Sequence, residues 1–174
     1  MSETVQRDPV AVDRPRIPAG YHAPQDDANL LPWSWAAERL ERAINYWVAT
    51  TRPDGRPHSM PTWGVWVDNT FYFEGSPETR RMRNLAANPA VVVHTESGDE
   101  VVVVEGAAVA ILYPDAALSA RLVEAYTAKY LAQHGYQPDP KDWEGGGLYA
   151  ARPETVLGWQ EFPKTVTRWH FARG

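Results

Sequence analysis

Apolar positions recur with a helical period from residue 35, where Trp35, Ala36, Ala37, Leu40 and Ile44 follow Ser34, a residue suited to cap a helix. Residues 46–51 are β-branched and aromatic. Arg52-Pro53-Asp54-Gly55 behind them is a turn by mechanism, since Pro presets φ and Gly accepts positive φ. Over residues 57–67 Trp63, Val65 and Val67 alternate with Thr62, Gly64 and Trp66, and Asp68-Asn69 turns this second strand into a third over 70–74. Pro57 and Pro61 have no N–H for a ladder, which puts that part of the second strand at a sheet edge or beside a bound group.

Ser76-Pro77 reads as a cap and first residue of a helix that runs to about Asn88 and stops at Pro89. Residues 90–96 and 101–112 form a hairpin about Ser97-Gly98-Asp99. Its second strand is apolar on both faces around Glu105 and Gly106, which predicts burial on both sides, one towards a barrel interior and the other against a helix or a second subunit. Pro114 opens a long helix with Leu118, Leu122, Tyr126 and Tyr130 four apart, ending at His134-Gly135. A Pro- and Gly-rich loop over 136–147 follows, then strands over 154–160 and 165–172. This order predicts a mainly β chain, an antiparallel barrel with peripheral helices.

Residues 1–30 form an N-terminal extension. Pro9, Pro15, Pro18 and Pro24 and the lack of apolar periodicity oppose regular structure, so it is expected to be flexible or draped over a partner subunit, with residues 31–174 as the domain. The extension lacks the apolar core of a secretion signal, and the longest apolar stretch, residues 107–113, is far too short to span a bilayer. The expectation is a cytoplasmic protein with no membrane partner.

The net charge of −5 supplies no broad positive field, which argues against nucleic acid. With no cysteine, thiolate metal sites and a cysteine nucleophile are excluded. The five histidines, His22, His58, His94, His134 and His170, show no metal-ligand spacing, so no metal is expected. No acid and base pair stands out either, and the catalytic residues stay unassigned. The informative chemistry lies at Thr79-Arg80-Arg81-Met82-Arg83, where two cations occupy the first turn of a helix, the end at which the helix dipole disfavours them. Backbone N–H groups, the Thr79 hydroxyl and two guanidinium forks there suit a phosphate; Glu78 and solvent are the competing partners.

Three segments in order resemble the split-barrel flavin-binding proteins related to pyridoxamine 5′-phosphate oxidase, over about residues 47–171. They are Val48-Ala49-Thr50 with Asp54-Gly55-Arg56-Pro57-His58, Thr79-Arg80-Arg81-Met82-Arg83-Asn84-Leu85 with Asn88-Pro89, and Thr167-Arg168-Trp169-His170-Phe171. The resemblance implies a six-stranded antiparallel split β-barrel, a homodimer and a cofactor bound across the dimer interface. Thr79, Arg80 and Arg81 are similar to the family's hydroxyl and basic pair on the cofactor phosphate. Ser59, Met60, Pro61 and Thr62 look like the strand along the tricyclic ring. Trp159 and Arg168 resemble residues that the second subunit adds, at a spacing one residue shorter than in the oxidase; packing and a surface ion pair are their alternative roles.

The departures from the oxidase also count. Thr165-Val166-Thr167 stands where the oxidase carries basic residues for its substrate's phosphate, which argues against true pyridoxamine phosphate oxidation. The closing Thr167-Arg168-Trp169-His170-Phe171 is more similar to the branch that binds the deazaflavin coenzyme F420. Arg83 adds charge for a coenzyme with a longer acidic tail, or is an exposed helix charge. The implied function is hydride transfer between F420 and a small conjugated substrate. The alternatives are an FMN-dependent oxidoreductase and a non-catalytic flavin or haem binding protein. A hydride carrier supplies its own reactive atom, so the protein needs chiefly to orient it and exclude water.

Overall fold

The computed structural model describes residues 8–172. Its strands are β1 (Ala11–Asp13), β2 (Tyr46–Thr51), β3 (Pro57–Thr62), β4 (Gly64–Val67), β5 (Thr70–Glu74), β6 (Ala90–His94), β7 (Val101–Ile111), β8 (Leu148–Trp159) and β9 (Thr167–His170); its helices are α1 (Trp33–Arg42), α2 (Arg80–Ala87) and α3 (Ala116–His134). Both expected early turns form. Gly55 sits at φ 81° with its N–H on the Arg52 carbonyl, and Asp68 and Asn69 both take positive φ, the twist that a tight hairpin requires.

Antiparallel ladders run β3-β2-β6-β7-β8-β9-β1, and β8 also pairs with β5, which pairs with β4. Because β3 continues into β4 through Trp63, these ladders form a circuit of six staves that is split at that residue. The six-stranded split barrel expected from the resemblance is thus the observed fold. Tyr46, Val48, Phe71, Phe73, Val93, Val104 and Val156 fill its interior with Met82 and Leu85 of α2, and Ala36 and Leu40 of α1 join the same core. A second cluster, Val65, Leu122, Tyr126, Tyr130, Trp143 and Leu148, packs α3 on the outside of β4 and β5.

Several boundaries differ from the sequence expectation. The strand expected over 57–67 breaks at Trp63, because Tyr130 takes over the backbone there: its hydroxyl accepts from Gly64 N at 3.0 Å and lies 2.9 Å from the Gly64 carbonyl. Gly64 is pressed so closely on the Phe71 ring and the Tyr72 carbonyl that a Cβ would lie 2.3 and 2.7 Å from them. α1 starts at Trp33 behind Pro32, with no cap bond from Ser34; Pro32 already holds the extended φ and ψ of a cap. β8 starts at Leu148, six residues before the expected strand, since Leu148, Tyr149, Ala150 and Ala151 are buried on both faces and show no alternation.

β7 is covered on one face only by its own chain. Val102, Val104 and Ala108 are buried, but Val109 on the other face is 43% exposed, so a single chain does not cover both sides. The extension also differs from expectation where it is described. Residues 11–13 pair with β9, and the Arg14 guanidinium bonds the carbonyls of Asp26, Ala28, Lys164 and Val166, tying the segment to its own chain; residues 1–7 lie outside the described residues. Among the described residues no helix is long and apolar enough to cross a membrane.

Candidate functional site

Thr79 is the N-cap of α2: its hydroxyl accepts from Met82 N and donates to the Ser76 carbonyl at 2.9 Å. The helix therefore starts at Arg80, and Ser76 and Pro77, expected as its cap and first residue, form the turn before it. The Thr79 N–H bond to Ser76 O closes that turn. Arg80 and Arg81 remain the first two helical residues. Arg80 and Arg83 are exposed, whereas Arg81 is half-buried, with its guanidinium 5.3 Å over the Phe73 ring and donating to Thr62 Oγ1 at 3.2 Å.

Burial pulls the pKa of Arg81 below the ordinary arginine value, although a guanidinium stays charged in any protein. Its Nε–H is buried without a hydrogen-bond partner, and among the described residues no carboxylate pairs with Arg80, Arg81 or Arg83. The alternative partner Glu78 does not form an ion pair with them. A half-buried cation with an unused donor at a helix N-terminus fits an anionic oxygen ligand, so the residues present suit a phosphate-bearing cofactor.

Three other buried, unpartnered polar atoms, Arg52 Nε, His58 Nδ1 and Asn84 Oδ1, lie about the turn end of the β2–β3 hairpin, whereas Arg81 meets its other end at Thr62. Asn84, fully buried in α2, donates to Thr50 Oγ1 at 3.0 Å, and Thr50 stands opposite His58 across the β2–β3 ladder. Burial and then the charges of Arg52, Arg81 and Arg80 push the His58 pKa down. The sequence reading passed over Arg52 and His58. The available signal was the antiparallel register about the Asp54-Gly55 turn, which puts position 58 beside position 50.

Ser59, Met60, Pro61 and Thr62 lie on β3, at the end of the ladder path, so the two prolines face no missing ladder partner. Ser59, Met60 and Pro61 are exposed, and Thr62 turns in to meet Arg81, linking the strand to the helix N-terminus. Next to them opens a cavity of about 430 Å³ lined by Asn45, Pro61, Thr62, Trp63, Glu74 and Tyr136. Trp63 stacks on Tyr130 at 4.9 Å and stands 5.7 Å from the Tyr136 ring. Glu74 accepts from the Tyr136 hydroxyl and from Trp143 Nε1, holding the 136–147 loop on β5. Burial and then this carboxylate raise the Tyr136 pKa, so the phenol stays protonated.

Trp159 and Arg168 stand elsewhere. The Leu148 end of β8 pairs with β5 near Arg81, and Trp159 is the last residue of the same strand, at its opposite end. Trp159 packs edge-on against Phe162 at 5.9 Å. Arg168 makes a two-pronged bond to Asp13 at 2.8 and 2.7 Å, and His170 approaches the same carboxylate. One chain therefore gathers Thr62, Thr79, Arg80 and Arg81 but not Trp159 and Arg168. Among the described residues no group of three His, Asp or Glu could hold a metal ion.

The family model for pyridoxamine 5′-phosphate oxidase matches residues 36–160, more than half of the chain. Among solved structures, an F420 reductase is 26% identical with a TM-score of 0.52, over 68% of this chain and 93% of that one. A FAD-binding protein from Mesorhizobium loti is 21% identical (TM-score 0.55; 82% of this chain, 96% of that one). A heme binding protein from Mycobacterium smegmatis is 16% identical (TM-score 0.58; 78% of this chain, 57% of that one). The last two are alike in fold. No curated protein matches the chain.

Proposed function

The chain belongs to the pyridoxamine 5′-phosphate oxidase family, and we propose on that premise that it is an oxidoreductase transferring hydride between coenzyme F420 and a small conjugated organic substrate. The observation that carries the reading is Arg81: a half-buried cation with no carboxylate and an unused Nε–H, beside Arg80 at the N-terminus of α2. Arg80 and Arg81 would hold the cofactor phosphate, and the α2 backbone N–H groups would add donors. Ser59, Met60, Pro61 and Thr62 would lie along the ring, the group that supplies the hydride-carrying carbon when bound. The F420 reductase, the one of these three structures whose identity exceeds a fold-level likeness, supports the choice of coenzyme.

The cavity at Trp63, Glu74 and Tyr136 opens beside Pro61 and Thr62, so a substrate there would stack on Trp63 with water kept out by the 136–147 loop. Because Val109 on the outer face of β7 stays exposed and Trp159 and Arg168 lie apart from Arg81, the reading includes a homodimer whose second subunit completes the cofactor site. It also keeps the protein in the cytoplasm. Titration of the purified protein with F420 and with FMN, followed by absorbance, tests the cofactor, and turnover with a panel of enones tests the enzyme. FMN binding alone would move the reading to an FMN enzyme on the same phosphate site. Binding without turnover of any enone would leave a carrier rather than a reductase.

A further inference from the structure

We propose that the cavity beside Pro61 and Thr62 selects for positive charge, and that its substrate is a conjugated nitrogen cation recognised by the Trp63 ring and the Glu74 carboxylate. Glu74 is then the residue that sets specificity. This inference rests on the oxidoreductase reading and narrows its substrate class.

Of the residues that line this cavity, Glu74 alone carries a formal charge. It is half-buried at the end of β5. Its two oxygens accept from the Tyr136 hydroxyl and from Trp143 Nε1, and Trp143 is itself buried, so the carboxylate is fixed in the cavity wall. Both donors are neutral, and among the described residues Glu74 forms no ion pair. A carboxylate taken partly out of water without a counter-ion is costly, and two neutral hydrogen bonds lower that cost without cancelling the charge. A cation entering the cavity would cancel it.

The surroundings add negative charge. A neighbouring cavity of about 470 Å³ shares Glu74 and Tyr136 with this one and brings in Asp142 and Glu144, and among the described residues no Lys, Arg or His lines either space. Cations on the adjoining elements are turned to other partners. Arg81 donates to Thr62 Oγ1 and has phosphate as its proposed counter-ion, while Lys129 donates to Tyr46 Oη and the Gly64 carbonyl. His134 packs on Trp63 at 4.7 Å without lining the cavity. Trp63, held by its stacking on Tyr130, brings an indole, the side-chain ring that attracts cations most strongly, and the Tyr136 ring stands 5.7 Å from it. A flat cation gains from both ring and carboxylate. A neutral molecule of the same shape gains only the stacking, and an anion is repelled.

Three probes of similar shape test this on the full chain at pH 8: N-methylquinolinium, neutral quinoline and quinoline-2-carboxylate. Binding is read from the Trp63 indole N–H resonance, assigned by its loss in Trp63→Phe, so the result does not depend on turnover. N-methylquinolinium should bind about tenfold tighter than quinoline, the scale of a cation–π contact reinforced by a carboxylate, and quinoline-2-carboxylate should not saturate. In Glu74→Gln the preference for the cation should fall below about threefold while quinoline binds as in the parent. Tyr136→Phe, which keeps the charge and loses a bond to the 136–147 loop, should retain the preference, and this separates charge recognition from loop anchoring. If Glu74→Gln does not fold, the ranking of the three probes in the parent and in Tyr136→Phe decides. Equal affinity for the cation and quinoline, or a cation preference unchanged in Glu74→Gln, overturns the inference and leaves the oxidoreductase reading to the F420 and FMN titrations. Cation binding in a chain that takes up neither cofactor overturns the oxidoreductase reading and leaves the cation site standing. No saturable binding of any probe overturns the cavity as a ligand site.

Discussion

Among the described residues, Arg81 keeps a charge half-buried with Thr62 and an aromatic face for company, and its neighbour Arg80 shares the positive end of a helix dipole. Changing both to Ala removes two charge-assisted contacts to a phosphate, each worth about 1.5–3 kcal/mol. Cofactor affinity should fall by roughly two orders of magnitude or more, at about 1.4 kcal/mol per tenfold. Without cofactor the melting temperature should stay level or rise, since two cations leave that dipole. Absorbance titration and thermal melts read the two effects separately, and a variant that binds normally but melts lower would make α2 a structural helix. A second residue gives a pH signature. Lys129 donates to Tyr46 Oη at 2.8 Å and the Gly64 carbonyl at 3.3 Å, and burial pulls its pKa down to about 8. The unfolded chain, with a Lys pKa of roughly 10.4, binds more protons above pH 8, so stability should rise with pH from about 8 to 9.5. The gain should be on the order of 1–2 kcal/mol, before tyrosine ionisation in the unfolded chain reverses the trend. Urea titrations across that range should show the rise in the parent and a flat line in Lys129→Met.

Among the elements, β7 and β8 depend on one irregular point. The ladder shifts register between Glu105 and Gly106, and a Cβ on Gly106 would lie 1.9 Å from the Arg152 carbonyl oxygen. Backbone is on both sides of that overlap, so no side chain can yield. Gly106→Ala should cost more than about 2 kcal/mol in urea unfolding, because the bulge must open to admit a methyl. Gly98→Ala, with nothing within 4 Å of its Cβ position, is the neutral comparison. The α2 cap is a milder case: Thr79→Ala should cost about 0.5–2 kcal/mol through the lost bond to Met82 N. Parent-like stability in both Gly106→Ala and Thr79→Ala would mean that neither geometry governs its element.

For the whole molecule, the N-terminal arm is part of the barrel's surface. Asp13 holds Arg168 and His170, and both side-chain bonding and charge from Arg168 keep its carboxyl below the usual aspartate range. Deleting residues 1–14 removes β1, this pair and the four carbonyl contacts of Arg14. The melting temperature should drop by several degrees, at about 2–4 °C per kcal/mol for a chain of this size. An unchanged melt would show that the arm lies on the fold without supporting it. The open β7 face makes a separate prediction: sedimentation should show a dimer at micromolar concentration, and Val109→Glu should weaken it by placing a charge on the covering surface.

Local chemistry alone determined much of this protein. The turns at Asp54-Gly55 and Asp68-Asn69, the long α3 between Asp115 and the left-handed Gly135, and Arg80-Arg81 in the first turn of a helix all follow from residues close together in the chain. The order of those elements, with three short motifs, pointed to the split barrel. Long-range contacts decided the rest. Tyr130, far along the chain, breaks the strand at Trp63. The buried start of β8 carries no alternation because both its faces are covered. Asp13 pairs with Arg168 only because β1 reaches β9. The setting of Arg81 was hidden for the same reason: Thr62 comes near α2 only once the sheet curls round its own core, and a charge left without a counter-ion can be recognised only when all its neighbours are in place.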